Sequence, residues 1–358
     1  MKIVTVVGAR PQFIKAAPLS RSLRAVAGVR EVLVHTGQHY DATMSDIFFQ
    51  ELDLPAPDYH LGVGSGSHAS QTAAMLTGIE AVLEAEQPAG VLIYGDTNST
   101  LAAALAAAKL HLRVAHVEAG LRSYNRAMPE EINRVVADAL AALLFCPSAV
   151  SAANLAREGI TAGVHVVGDV MYDAVLHAAD RAQSTIAAGL LRELGVAPRG
   201  YILATVHRAA NTDDPAPLNA IVTALNALAE PVIFPVHPRT AKALAALPIT
   251  LAAHVQTIAP VGYLAMVALE SQARLILTDS GGVQKEAYWL AVPCVTLREE
   301  TEWVETVAAG WNRVVGTDPV RIAAAVADSY PAGPPPPLYG DGHAAEQIAA
   351  IVTAAWGP

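Results

Sequence analysis

The feature that most constrains this chain is a repeated alternation of short β-branched runs with longer alanine-rich stretches. Lys2–Gly8, Glu31–Thr36, Val91–Tyr94, Arg113–Val117 and Leu143–Pro147 read as strands. Pro18–Ala27, Thr72–Glu86, Ser99–Leu110 and Val150–Glu158 read as the helices between them. After Val164–Gly168 the pattern restarts with Tyr201–Val206, Pro231–Val236, Val255–Ala259, Arg274–Thr278 and Val292–Leu297. Such alternation is the pattern of parallel βαβ units, because parallel neighbours need a crossover and a helix supplies it. A length of 358 residues suits two domains. The expected fold is therefore α/β, with two doubly wound Rossmann-like domains and a switch near residues 168–200. We place the N-terminal domain at 1–168 and the second at 169–341. A last helix, around His343–Trp356 and within 342–358, follows the extended segment Pro331–Pro337.

Composition narrows the function. Hydrophobic residues make up 53% of the chain, but the excess is mostly alanine, so the bulk hydropathy overstates how greasy it is. The longest apolar stretches, Val136–Cys146 and Leu101–Leu112, are interrupted by Asp138 and by Lys109 and His111. Neither approaches the ~18 uninterrupted residues of a membrane span. The opening residues lack a signal-peptide cleavage pattern, so the chain reads as cytoplasmic with no membrane partner. Cys146 and Cys294 both lie in apolar runs and read as buried free thiols. A net charge of −10 argues against nucleic acid as a partner. It leaves room for an anionic small molecule met by local cations.

Polar residues gather where the strands end: Gly8-Ala9-Arg10, Thr36-Gly37-Gln38-His39, Gly95-Asp96-Thr97 and Glu118-Ala119-Gly120 in the first half. His207-Arg208, His237-Pro238-Arg239 and Asp279-Ser280-Gly281-Gly282 repeat the arrangement in the second. Open α/β sheets bind ligands outside these carboxyl ends, so a site between the two domains is expected. DSGGVQKEA (279–287) is either a phosphate cradle at a helix start, with Glu286 two turns in, or an ordinary βα turn with Asp or Ser as cap. Arg10 and Lys15 are either a phosphate clamp or a solvated helix start. Gly62–Gly66 has glycines but no strand before it and reads as a plain loop. With GxGxxG missing from the first turn, a nicotinamide dinucleotide is disfavoured. Asp96, Glu118 and Glu130 are the sharper signal, since acids beside Arg10 and Lys15 suit proton transfer next to a phosphate. Their alternative reading is as helix caps and first-turn acids. No HExxH or Cys/His spacing marks a metal site, and no GxSxG elbow marks a hydrolase.

Taken in order, GARPQFIKAAPL (8–19), TGQH (36–39), YGDTNST (94–100), HVEAGLRS (116–123), PEEINR (129–134), VHR (206–208), PVHP (235–238), DSGGVQKEA (279–287) and LYGDG (338–342) cover essentially the whole chain. The set resembles the non-hydrolysing UDP-N-acetylglucosamine 2-epimerases. That resemblance implies a two-domain fold of the GT-B type, with the last helix crossing back to the first domain. It implies interconversion of UDP-GlcNAc and UDP-ManNAc by elimination and re-addition of UDP, with neither metal nor nicotinamide as cofactor. It implies a homodimer supplying cell-surface polysaccharide synthesis. It casts Asp96, Glu118 and Glu130 as acid/base candidates and His207 as the histidine near the diphosphate. Arg10, Lys15, Ser280, Gly281, Gly282, Glu286 and Arg313 match UDP-sugar positions. Gln38, His39 and His237 match residues of a regulatory second site in some members.

Three positions depart from the commoner family pattern: Gln12 for Glu, Lys285 for an acid, and Trp303 for Arg. Together they shift local charge towards positive, which suits a substrate carrying an extra carboxylate. GARPQFIK and TEWVET look more like the branch acting on UDP-2,3-diacetamido-2,3-dideoxy-glucuronate. The rival readings are a glycosyltransferase of the same fold, a hydrolysing relative releasing UDP, and a non-catalytic UDP-sugar sensor.

Overall fold

The computed structural model describes residues 1–38, 49, 51–183, 186–328 and 330–357. In it the alternation resolves into two units, one of residues 1–176 with 337–358 and one of residues 177–336. The first unit carries β1 (Lys2–Val7), α1 (Arg10–Ala25), β2 (Arg30–His35), β3 (Tyr59–His60), α2 (His68–Glu86), β4 (Gly90–Tyr94), α3 (Asn98–Lys109) and β5 (Arg113–Val117). It continues with α4 (Pro129–Leu140), β6 (Leu143–Cys146), α5 (Ala149–Arg157), β7 (Val164–Val166) and the start of α6 (Val170–Gln183). Its strands are all parallel, in the order β3-β2-β1-β4-β5-β6-β7.

The second unit carries α7 (Ile186–Leu194), β8 (Ile202–Thr205), α8 (Ala209–Thr212), α9 (Pro215–Ala227), β9 (Val232–Pro235), α10 (Pro238–Ala245) and β10 (Val255–Ile258). Then follow α11 (Tyr263–Gln272), β11 (Leu275–Thr278), α12 (Gly281–Trp289), β12 (Cys294–Thr296), α13 (Val304–Ala308), β13 (Asn312–Val314) and α14 (Pro319–Ala327). The order here is β10-β9-β8-β11-β12-β13, again all parallel. The last helix, α15 (Ala344–Trp356), belongs to the first unit.

Both faces of each sheet are covered, as parallel sheets require. In the second unit Leu275 and Leu277 join one core with Leu218, Ile221 and Ile322, while Ile276 joins another with Leu269 and Ala287. That split follows from successive side chains leaving a strand on opposite faces. In the first unit the alanine excess has a structural purpose. Ala102, Ala103, Ala106 and Ala107 of α3 are buried against β1, β4 and the neighbouring helices, where small side chains let backbones approach. Helix α15 packs on α1, its Ala355 carbonyl accepts from Arg113 Nη1 at 2.8 Å, and the Trp356 ring fills the space beside Gly90. A Cβ on Gly90 would come within 2.6 Å of that ring.

Several local expectations need correction. Helix α1 begins at Arg10 rather than Pro18. Pro11 suits the first turn, where its missing N–H is no loss. Ala9 has no capping side chain, but Gln12 Oε1 accepts from the N–H groups of Gly8 (2.8 Å) and Ala9 (3.1 Å) in its place. A strand does precede the Gly62–Gly66 loop: β3 pairs with β2, and Val63 N and Gly64 N donate to the carbonyls of Thr36 and Gly37. Edge strands β3 and β13 escaped notice because two or three residues show no periodicity. Cys146 and Cys294 are buried and unpaired, and burial pushes both thiols up to about 12.

Candidate active site

In each sheet the chain starts in the middle and runs outward in both directions. The reversal lies between β1 and β4 in the first unit and between β8 and β11 in the second. At such switch points the loops leaving two neighbouring strands diverge, opening a crevice at the carboxyl ends. Most of the candidate residues are found there.

In the first unit, Glu118 directly follows β5 and Asp96 lies two residues beyond β4, on adjacent strands paired Tyr94 to Val117. Glu118 has a positive φ of 71°, a conformation a non-glycine residue rarely adopts without reason. The turn aims its carboxylate at Lys15 of α1, and the two form a buried ion pair. Gly95 makes that pair possible. Its φ is +61°, and a Cβ there would lie 3.2 Å from both the Lys15 ammonium and the Glu118 carboxylate. Arg10, in the first turn of α1, is exposed. Asp96 is partly exposed and is gripped by Arg134 of α4. Glu130 occupies the first turn of α4, half-buried. Its neighbour Glu131 is buried and accepts from Ser123 N (2.9 Å), Ser123 Oγ (3.0 Å), Tyr124 N (2.9 Å) and Arg134 Nη1 (2.9 Å). Burial alone would raise the Glu131 carboxyl, but these donors hold it below its ordinary value.

Behind these turns runs a buried chain of charge. His116 offers Nδ1 to Asp138 at 2.6 Å and Nε2 to the Gly95 carbonyl at 2.7 Å. Asp138 also accepts from Gly120 N (3.1 Å) and Arg122 Nη1 (2.7 Å), and Arg122 forks onto Glu158 at 2.7 Å through both other nitrogens. Burial opposes the Asp138 charge, yet His116 and Arg122 hold its carboxyl below the usual range. The network ties the turn after β4 to the turn after β5. Gln38 is engaged with Ser99, accepting from its N–H (3.2 Å) and Oγ (2.7 Å), while His39 lies outside the described residues.

In the second unit Asp279 is the organiser. It is fully buried and accepts from His207 N (3.1 and 3.0 Å), Arg208 N (2.9 Å) and Asn211 Nδ2 (3.0 Å). The half-exposed His207 ring stands 3.4 Å from the same carboxylate. Next to it Ser280 caps α12, accepting from Val283 N at 3.5 Å, and Gly281 and Gly282 form the helix start. A Cβ on Gly281 would find Trp303, Arg208 and Glu302 all within 4 Å. Glu286 is buried one turn on, beside Glu270. Burial first, and then the Glu286 carboxylate, push the Glu270 carboxyl far above its ordinary value. His237 caps α10 by accepting from Arg239 N at 3.2 Å, its ring 6.3 Å from that of His207. Arg313, on edge strand β13, directs its guanidinium at Asp328 (2.5 Å) and over the ring of Tyr330. Among the described residues no three His, Cys, Asp or Glu side chains form a metal-ligand group.

The sequence profile of the UDP-N-acetylglucosamine 2-epimerases matches residues 21–353. The chain belongs to that family. A UDP-N-acetylglucosamine 2-epimerase homolog of Methanococcus maripaludis is 53% identical over 336 residues, 93% of each chain. The UDP-2,3-diacetamido-2,3-dideoxy-D-glucuronate 2-epimerase of Pseudomonas aeruginosa is 49% identical over 358 residues, 98% of each. The crystal structure of Methanocaldococcus jannaschii UDP-GlcNAc 2-epimerase in complex with UDP-GlcNAc and UDP superposes with a TM-score of 0.86 at 41% identity, over 99% of this chain and 100% of that one. The α/β fold expected from the sequence, with two Rossmann-like sheets of the GT-B type, is therefore the fold of this epimerase.

All three charge departures in the epimerase have local explanations. Gln12 is buried, and its Nε2 donates to Tyr94 O (2.8 Å) and Thr100 Oγ1 (3.1 Å), so it serves the end of β4. Lys285 is buried with its ammonium 4.0 Å from the Trp303 ring centre and 5.3 Å from that of Trp289. The Lys285–Trp303 exchange is thus a matched packing pair, a cation on an aromatic face. Sequence reasoning missed Arg134, Asp138 and Asp279 as the groups that hold the candidates. PEEINR and DSGG contained two of them, but no local spacing announces a partner dozens of residues away.

Proposed function

We propose that the protein is a non-hydrolysing UDP-N-acetylglucosamine 2-epimerase, interconverting UDP-GlcNAc and UDP-ManNAc. The observation that carries this reading is the gathering of Glu118, Lys15 and Asp96 at the carboxyl ends of adjacent strands. A C2 proton is only weakly acidic, so its removal must accompany departure of a good leaving group. A carboxylate among Asp96, Glu118 and Glu130 takes that proton while the C1–O bond breaks and its electrons leave with UDP. The electron pair from C2–H becomes the C1–C2 double bond of a 2-acetamidoglucal. Return of a proton to the opposite face of C2, with C1–O re-formation, gives the epimer. In the second unit His207, Ser280, Gly281 and Gly282 stabilise the diphosphate charge, Glu286 accepts from ribose hydroxyls, and Arg313 completes the UDP set; in the first, Arg10 and Lys15 supply the cationic charge beside the acids. We read the working form as a cytoplasmic homodimer, checked by its sedimentation coefficient.

The test is incubation with UDP-GlcNAc alone in deuterium oxide, followed by NMR. A mixture of two UDP-sugars carrying deuterium at C2 is expected, with EDTA leaving the rate unchanged. Stable free UDP would overturn the reading in favour of a hydrolase, and an unchanged substrate in favour of a transferase or of an epimerase for the diacetamido uronate. Replacing Asp96, Glu118 or Glu130 with its amide should lower kcat by at least ~10²-fold while UDP still binds. A second reading, epimerisation of UDP-2,3-diacetamido-2,3-dideoxy-glucuronate, is favoured by the 49% identity with the Pseudomonas aeruginosa enzyme along both chains. Comparing kcat/KM for the two UDP-sugars decides between them.

A further inference from the structure

We propose that Arg134 is the positioning residue that aims Asp96, an inference resting on the reading of Asp96 as a proton-transfer group. Asp96 is held at three points. One residue before it, the Gly95 carbonyl accepts from His116 Nε2 at 2.7 Å. Its own carbonyl accepts from Asn133 Nδ2 at 2.8 Å. Its carboxylate is met by Arg134, which brings two N–H groups to one oxygen: Nε at 2.9 Å and Nη2 at 2.6 Å, both to Oδ2.

That last geometry is informative. A guanidinium facing a carboxylate commonly lays two parallel donors on two oxygens. Here both converge on Oδ2, which leaves Oδ1 without a donor among the described residues. The Asp96 side chain is 29% exposed and the Arg134 side chain 13%. The clamping guanidinium is therefore more shielded than the aspartate it holds. Arg134 is itself fixed from behind. Its Nη1 donates at 2.9 Å to Glu131, which is 2% exposed and anchored to the backbone N–H groups of Ser123 and Tyr124. Adjacent residues of α4, Asn133 and Arg134, thus grip the main chain and side chain of the same aspartate.

An aspartate with a free carboxylate samples several rotations, and proton transfer falls steeply when the reacting oxygen is misplaced by an ångström. Fixing Oδ2 with two donors removes that freedom and always presents the same oxygen. Lysine would supply charge at this position but not the planar fork.

The experiment uses the full chain with UDP-GlcNAc. Arg134→Ala is expected to lower kcat by ~10²-fold or more with KM within about threefold, the signature of lost orientation rather than lost binding. Guanidinium ion at millimolar concentration should restore at least ~10-fold of that loss in Arg134→Ala and nothing in Asp96→Asn. Arg134→Lys should recover only part of the rate, and it is the variant to assay if the alanine protein does not fold. Wild-type kcat in either variant overturns the inference, as does a loss appearing wholly in KM or one that guanidinium leaves untouched in a folded Arg134→Ala protein. A wild-type protein that fails to epimerise UDP-GlcNAc or the diacetamido uronate defeats the functional reading instead, before any variant is compared.

Discussion

At the scale of single residues, Gly95 shows how closely the acid cluster is built. Gly95→Ala places a methyl 3.2 Å from both members of the Lys15–Glu118 pair and forces alanine into a left-handed backbone. The backbone cost alone is about 1–2 kcal/mol, and the pair must also shift. We expect a lower Tm by calorimetry and a kcat reduced more than ~10-fold, because a small displacement of a proton-transfer group is magnified in rate. Unchanged kcat would mean that the pair's position is not critical. The positions of Asp96 and Glu118 were legible in the sequence, since strand ends in an α/β chain can be counted off, and Glu130 was legible as a helix start behind Pro129. Their partners were not. Lys15 is 103 residues from Glu118 and Arg134 is 38 from Asp96, and pairing over such separations is fixed by topology rather than by local pattern.

At the scale of elements, the attachment of α15 predicts a pH dependence. The Asp173 carboxylate accepts from Ala344 N (3.2 Å) and Ala345 N (2.7 Å), capping that helix. Burial, reinforced by Asp169, nevertheless pushes its carboxyl up to about 6. A raised folded-state value means the fold prefers the protonated form. The stabilisation from Asp173 is thus complete below its ordinary value near 3.8 and is lost as the pH rises through 6. The swing is up to about 3 kcal/mol. Asp173→Asn does not titrate, so its Tm relative to wild type should improve between pH 4 and pH 7.5. A constant difference across that range would contradict the account. The helix was readable from His343–Trp356, and the central strands from their β-branched runs. The edge strands β3 and β13 were hidden because so few residues carry no period, and α1 was started late because Pro18 resembles a helix opening.

At the scale of the whole molecule, the two units differ in how the chain supplies them. The second is one continuous stretch, His177–Pro336, with its own two-faced core. Residues 177–336 expressed alone should melt cooperatively, and UDP at 100 times its Kd should stabilise them by about 2.7 kcal/mol. Absence of any UDP effect would place nucleotide binding elsewhere. The first unit has no such independence, because α15 covers α1 and seats Trp356 beside Gly90 only after the second unit's sequence has intervened. On a ribosome adding ~5–20 residues per second, those 160 residues take about 8–30 s to emerge. For that interval the nascent first unit carries an uncovered face of α1 and an empty space beside Gly90. A chaperone that engages this protein during synthesis has its opportunity there, and it closes when the tryptophan arrives.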